Sequence, residues 1–176
     1  MPQFKESKAP DATISINIDK DNFVIGETIT GNILVTSEEE FDAKEIRVEI
    51  QGVVKSKIEE RSSSEDDEAD NPIEGVSRAV GFLAPKIFKK IKGKDTIDIP
   101  MFKEQTKVGE KLKITKGYSQ QFPFQITIRP NVRTMIYLSR PGPGREWTLK
   151  GVIAVEGRPD VETKKDIRVS LPQPQS

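Results

Sequence analysis

Cysteine and histidine are both missing from this sequence of 176 residues. Their absence excludes disulfides, iron–sulfur clusters, Cys/His zinc sites and nucleophilic sites of the Ser-His-Asp and Cys-His types. An enzyme built from these residues would depend on carboxylate or lysine chemistry, or on magnesium or calcium held by oxygen ligands. The composition therefore favours a binding module over an enzyme, and it predicts no cofactor and no metal.

An excess of charge of either sign is missing too, because 28 lysines and arginines balance 28 aspartates and glutamates. Proteins that bind nucleic acid usually carry a basic surface, so the balance predicts no nucleic-acid partner. No apolar run reaches the roughly 18 residues that a membrane-spanning helix needs, and the polar start MPQFKESKAP does not resemble a signal peptide. We therefore expect a cytoplasmic protein.

Apolar residues recur at every second position in segment after segment, which is the period of a β-strand. The alternating residues are Ile14, Ile16 and Ile18; Ile29, Ile33 and Val35; Ile46, Val48, Ile50 and Val54; Ile97, Ile99 and Met101; Leu112 and Ile114; Phe122, Phe124, Ile126 and Ile128; Trp147, Leu149, Ile153 and Val155; and Ile167, Val169 and Leu171. Helical spacing interrupts the strands in one place only, which excludes repeated β-α-β units. The pattern predicts an all-β fold of seven or eight strands, an antiparallel immunoglobulin-like β-sandwich in which Trp147 is buried.

The segment from Ser56 to Lys94 is far longer than an ordinary connection between strands. Its residues 59–74 carry eight carboxylates and one arginine, a composition that predicts a disordered acidic loop. Residues 76–94 are basic and place apolar residues at helical spacing, which predicts a short amphipathic helix from Pro85 to about Lys92.

This basic amphipathic segment is the candidate binding site for a membrane or a partner. Its candidate contact residues are Leu83, Lys86, Ile87, Phe88, Lys89, Lys90, Ile91 and Lys92. One interpretation is a helix packed on the sandwich with its lysines in water, and another is a helix docked on an anionic membrane surface. Binding of nucleic acid is disfavoured because no aromatic stacking platform accompanies the lysines.

Three serines, Ser62, Ser63 and Ser64, directly precede the carboxylates of residues 65–68. A kinase that reads acidic residues downstream of its target could phosphorylate them. The alternative, and the favoured interpretation, is a solvated linker, because serine and acidic residues are common in disordered loops.

Four short motifs resemble the arrestin N-terminal-like domain in their order and spacing. Residues 23–31, FVIGETITG, are similar to its Gly-Glu opening, and residues 43–52, AKEIRVEIQG, are similar to its third strand. Residues 118–126, YSQQFPFQI, resemble its Phe-Pro-Phe strand, and residues 146–151, EWTLKG, resemble a later strand with an aromatic residue and a lysine. The hairpin sequence GRPDV at 157–161 is especially similar to the Spo0M group of prokaryotic arrestin-like proteins.

The resemblance implies one arrestin-like sandwich over residues 13–171, with tails at 1–12 and 172–176 and the charged insertion at 56–94. It implies a non-catalytic adaptor or scaffold that binds other proteins, whose identity the sequence does not give. The alternative is a peripheral membrane scaffold that acts through residues 76–94 without a protein partner, and an enzyme is a remote third. The lysine pair that senses phosphate near the first strand of animal arrestins has no counterpart between Ala12 and Asp19.

Overall fold

The computed structural model describes residues 7–57, 96–140 and 144–174. It contains the strands β1 (Ala12–Ile18), β2 (Asn22–Val24), β3 (Thr28–Ser37), β4 (Phe41–Lys57), β5 (Thr96–Ile114), β6 (Tyr118–Thr127), β7 (Arg145–Val155) and β8 (Val161–Ser170), and the helix α1 (Val132–Ser139). The chain forms two compact units, one made of Met1–Val54 and Pro100–Ser176 and the other of Lys55–Ile99. Of the second unit the structure describes the end of β4 and the beginning of β5.

The strands form two sheets. One has three strands in the order β1-β3-β6, and the other has five in the order β2-β8-β7-β4-β5. Neighbouring strands are antiparallel in the pairs β1–β3, β3–β6, β4–β7 and β7–β8. The short strand β2 is an exception, because it runs parallel to β8. The predicted all-β sandwich is therefore confirmed.

The core lies between the inward faces of the strands, as the alternation of apolar residues predicts. Ile33, Ile46, Ile50, Leu149 and Ile153 are completely buried. Trp147 is 4% exposed, which confirms its predicted burial, and it stacks at a tilt on Phe102 with 5.4 Å between ring centroids. On the neighbouring strand Gly52 pairs with Trp147, and a Cβ added to Gly52 would lie 3.0 Å from the indole ring.

Three elements differ from the sequence-based expectation. Residues 97–101 and 112–114, which we expected to form two strands, belong to the single strand β5 of 19 residues. Polar residues such as Lys103 and Glu104 occupy both faces between them, so the apolar period disappears although the strand continues. The three residues of β2 are too few to show any period.

The helix α1 contradicts the expectation that helical spacing is confined to the 56–94 segment. Asn131 caps its first turn, because the side-chain Oδ1 accepts a hydrogen bond of 2.8 Å from the Thr134 amide. The eight residues of α1 are fewer than a periodicity window needs, which is why the helix escapes prediction. No helix among the described residues is long and apolar enough to cross a membrane.

Candidate protein-interaction site

Four strands lie at the edges of the two sheets, and an edge strand presents unpaired backbone groups that another chain can bind. Three of these edges carry features that discourage such pairing. β2 has only three residues, β6 contains Pro123, and β5 carries charged residues and the positive φ of 48° at Lys111. The fourth edge strand, β1, has none of these features.

β1 has the sequence ATISINI, with no charge, no proline and no glycine. Ile14 and Ile16 point into the core, whereas Thr13, Ser15 and Asn17 are exposed. All seven residues pair with β3 in unbroken register, from Ala12 opposite Ser37 to Ile18 opposite Gly31. This uncharged edge with its unbroken register is therefore the one best suited to accept an added strand.

The close approach of β1 to its neighbour requires glycine at position 31. A Cβ on Gly31 would lie 2.3 Å from the backbone oxygen of Asn17 and 2.8 Å from the Ile18 side chain. Because backbone atoms cannot move aside without breaking the register, any larger residue would push β1 away from β3. The second glycine of the Gly-Glu motif thus holds the edge strand in place.

The N-terminal end of β1 is fixed by Glu39. Its Oε2 accepts a 2.9 Å hydrogen bond from the Asp11 amide, and its Oε1 pairs with the Arg158 guanidinium. Arg158 also donates from Nε to the backbone oxygen of Lys8, at 2.8 Å. The hydrogen bond from Arg158, followed by that from Asp11, lowers the pKa of the Glu39 carboxyl, so Glu39 holds its charge where β1 begins.

The turn between β2 and β3 is fixed by Glu27, the acidic residue of the Gly-Glu motif. Glu27 accepts a 2.6 Å hydrogen bond from the Val24 amide and forms an ion pair with Lys20. These interactions, that of Lys20 foremost, lower the pKa of the Glu27 carboxyl. Gly26 precedes it with a φ of +97°, a conformation that glycine adopts without strain.

The site residues predicted from sequence lie outside the described residues. This applies to Leu83, Lys86, Ile87, Phe88, Lys89, Lys90, Ile91 and Lys92, and equally to Ser62, Ser63 and Ser64. The sequence does not reveal the β1 edge, because the two-residue period of apolar residues identifies a strand but not its position within a sheet. The absence of charge in residues 12–18 does not identify an edge strand, because residues 28–37 of the central strand β3 carry no charge either.

Comparison with known proteins identifies the fold family. The family model described as arrestin (or S-antigen), N-terminal domain, matches residues 12–172. The chain belongs to the arrestin family. Among solved structures, the arrestin-like domain is similar to the sporulation control protein Spo0M from Bacillus subtilis, with a TM-score of 0.58 and 15% sequence identity.

The alignment with Spo0M covers 93% of this arrestin-family chain and 51% of the Spo0M chain. The chain therefore spans about half the length of that protein, and at this identity the likeness concerns the fold alone. No curated protein matches the sequence. The Phe-Pro-Phe motif of the arrestin resemblance lies on the edge strand β6, where Phe122 and Phe124 are buried and Pro123 is exposed.

Proposed function

We propose that this arrestin-family domain is a non-catalytic adaptor or scaffold that binds an extended segment of another protein along the open edge of β1. The observation that carries the proposal is the combination of an edge position, an unbroken register and a strand without charge or proline. The backbone N–H and C=O groups on the free side of β1 would form a ladder with the partner strand, and side chains would add specificity.

The exposed side chains of β1 indicate what kind of segment would bind. Thr13, Ser15 and Asn17 offer hydroxyl and amide groups and no cation. A partner phosphate would find no charged donor on this strand, since Lys20 in the next turn is already paired with Glu27. We therefore expect an uncharged, extended partner segment whose affinity does not depend on phosphorylation.

The test compares lysine substitutions on an edge strand and on a central strand. The double variant Ser15→Lys/Asn17→Lys adds charge to the edge, where lysine discourages strand addition. The matched control, Thr30→Lys/Asn32→Lys, adds the same charge with the same spacing to β3, which has strands on both sides. All four positions are exposed, so neither variant disturbs the core.

Peptides are first selected from a random display library on the full chain and then measured by fluorescence anisotropy. We expect the β1 variant to weaken binding by about tenfold or more and the β3 variant to leave it within about twofold. Amide signals of residues 12–18 should shift on peptide addition in the parent protein. Equal affinity of both variants, or a library that yields no binding peptide, would contradict the proposal.

A further inference from the structure

The helix α1 carries apolar side chains on two opposite faces. On the inner face Thr134 is fully buried, and Tyr137 and Leu138 pack against the core. On the outer face Val132 is 76% exposed and Ile136 46% exposed. Together with Met135 they are the large exposed apolar side chains of the described residues, and a surface helix normally keeps that side polar.

The outer face of α1 forms one wall of an open groove of about 550 Å³. Pro130, Leu171 and the three exposed residues of the helix line it, with Asn131 and Ser139 at its ends. Its volume lies within the range of about 300–1,000 Å³ that is usual for binding pockets. We refer to it as the α1 groove.

The helix is held so that this face stays outward. The Thr134 hydroxyl donates a 2.9 Å hydrogen bond to the Met101 carbonyl oxygen on β5, and this bond is buried. The Asn131 side chain caps the first turn, and the Asn131 carbonyl accepts from the Met135 amide at 3.0 Å. A rotation that buried Val132 and Ile136 would break the bond between Thr134 and Met101, so the helix is held with its apolar outer face exposed.

The segment of chain that carries the helix α1 is basic. Residues 129–145 contain Arg129, Arg133, Arg140 and Arg145 and no aspartate or glutamate. Arg129 is 75% exposed and its nearest carboxylate oxygen, on Glu104, is 3.9 Å away, so that pair leaves most of its charge available. A second groove of about 330 Å³, beside Leu138, is lined by Arg145 together with Arg168 of β8.

The charge and the shape of the α1 groove together indicate which kind of partner it binds. A second copy of this chain would bring two clusters of arginine together, which is repulsive. The residues that follow Leu171, at 172–174, are Pro-Gln-Pro and offer neither an acidic nor a large apolar side chain. Protruding side chains such as Val132 would also suit a lipid surface, whereas the groove beside them accepts a side chain that protrudes from a partner protein.

We propose that the α1 groove binds an acidic segment of a partner protein that inserts a large apolar side chain between α1 and Leu171. The inference rests on the proposed protein-binding function, but it uses a surface other than β1. Apolar contact in the groove would supply the anchor, and the arginines would attract and orient the acidic residues around it.

The probe is a fluorescein-labelled peptide of about 12 residues in which glutamates surround one phenylalanine and one leucine. Two matched peptides replace either the glutamates with lysine or the two apolar residues with serine. We expect the full chain to bind the acidic apolar peptide, and to bind it about tenfold more weakly when ionic strength rises from about 0.05 M to about 0.5 M. Both matched peptides should bind at least about tenfold more weakly.

Variants of the chain locate the binding. Ile136→Ser and the double variant Arg133→Glu/Arg140→Glu should each weaken binding by about tenfold. The double variant Lys44→Glu/Lys116→Glu makes the same change of net charge at exposed positions outside α1 and should leave binding within about twofold. The Met135 methyl signal should shift on peptide addition, while that of Met101, which is 3% exposed, should not.

The outcomes separate this inference from the proposed function. Binding that survives in the Ser15→Lys/Asn17→Lys variant supports the α1 groove even if the β1 edge binds nothing. Lack of peptide binding, or equal binding by the α1 variants and the lysine control, overturns the inference and leaves the β1 test intact. Binding of anionic vesicles that Ile136→Ser abolishes, with no peptide binding, also overturns it and assigns the groove to lipid.

Discussion

At the scale of single residues, Trp147 combines favourable packing with an unsatisfied polar group. Its ring lies against Gly52 on β4 and Phe102 on β5, and these contacts bury nearly the whole side chain. The indole Nε1 is buried as well and has no hydrogen-bond partner among the described residues. A buried donor without a partner costs about 1–3 kcal/mol, so part of the gain from packing this ring is lost.

Replacing Trp147 therefore has an effect that depends on what replaces it. Trp147→Ala should lower the free energy of unfolding by about 3–5 kcal/mol, because it leaves a large cavity. Trp147→Phe should lower the free energy of unfolding by clearly less than the lost side-chain volume alone predicts, because it removes the unsatisfied N–H along with the outer ring. Urea unfolding measures both, and Lys150→Ala on the outward face is the control, with an expected cost of under about 1 kcal/mol. A cost for Trp147→Phe as large as that for Trp147→Ala would show that Nε1 is satisfied in solution.

At the scale of elements, α1 depends on one buried side-chain hydrogen bond. Thr134 is the single described residue of the helix that is completely buried, and its hydroxyl reaches the carbonyl of Met101. The rest of the inner face, Tyr137 and Leu138, is only partly buried. The helix is short and would not be stable in isolation, so its attachment to β5 determines whether it forms.

The variant Thr134→Val tests this attachment. It keeps the size of the side chain but removes the hydroxyl, which leaves the buried Met101 carbonyl without that partner and should cost about 1–3 kcal/mol. Hydrogen exchange should then accelerate in residues 132–139 more than in β3 and β7. Thr134→Ser, which keeps the hydroxyl, is the matched control and should retain slow exchange. Unchanged exchange in Thr134→Val would indicate that Tyr137 and Leu138 hold the helix without the hydrogen bond.

The elements also show how far the sequence alone determines the fold. Strands such as β3 and β7 were predictable because their alternate residues are buried on one side, so Ile33 or Ile153 identifies the face. β2 and α1 were not, since elements of three and eight residues are shorter than the windows in which a period becomes visible. The order of strands follows from pairing between distant segments, and for that reason the edge position of β1 could not be predicted from the local sequence pattern.

The α1 groove could not be predicted from the sequence for a different reason. Val132, Met135 and Ile136 look like core residues in the sequence, because apolar residues are usually buried. Only the position of Thr134 against Met101 shows that the opposite face of the helix is the inner one. The Asn131 cap after Pro130 was a visible signal for the helix, but no local signal reveals which face is exposed.

At the scale of the whole molecule, the membrane interpretation of residues 76–94 stays a prediction. If that segment docks on lipid, the full chain should co-sediment with anionic vesicles at low salt and much less with neutral vesicles. Changing Lys86, Lys89, Lys90 and Lys92 to glutamate should abolish this binding. The variant Arg133→Glu/Arg140→Glu is the control, because Arg133 lies in α1 and Arg140 directly follows it, outside residues 76–94. Equal sedimentation of the lysine variant and the parent would exclude the membrane role of the segment.

The response of the molecule to acid follows from two carboxylates in connections, Glu27 and Glu39, and one in the strand β4, Glu45. The pKa of Glu27 is lowered chiefly by Lys20, that of Glu39 by Arg158, and that of Glu45 by Lys107. Glu39 fixes the N-terminal end of β1 through the Asp11 amide, and Glu27 holds the turn after β2 through the Val24 amide. The native state therefore favours the charged form of all three more strongly than the unfolded chain does.

These pKa shifts determine in which direction the folding stability changes with pH. A carboxyl whose pKa is lower in the folded state contributes stability that is complete above its unfolded pKa of 4.5 and is lost as pH falls through the lower folded value. We expect the urea midpoint to be insensitive to these groups near neutral pH and to decline below pH 4.5. Glu39→Gln should lower the urea midpoint at neutral pH. The decline of the midpoint in acid should become shallower, because the titrating carboxyl is gone. The backbone amides of residues 12–18 should exchange hydrogen faster in this variant. Glu40→Gln, at an exposed neighbouring position, is the control. An acid decline of undiminished steepness in Glu39→Gln would show that Glu39 does not couple protonation to the anchoring of β1.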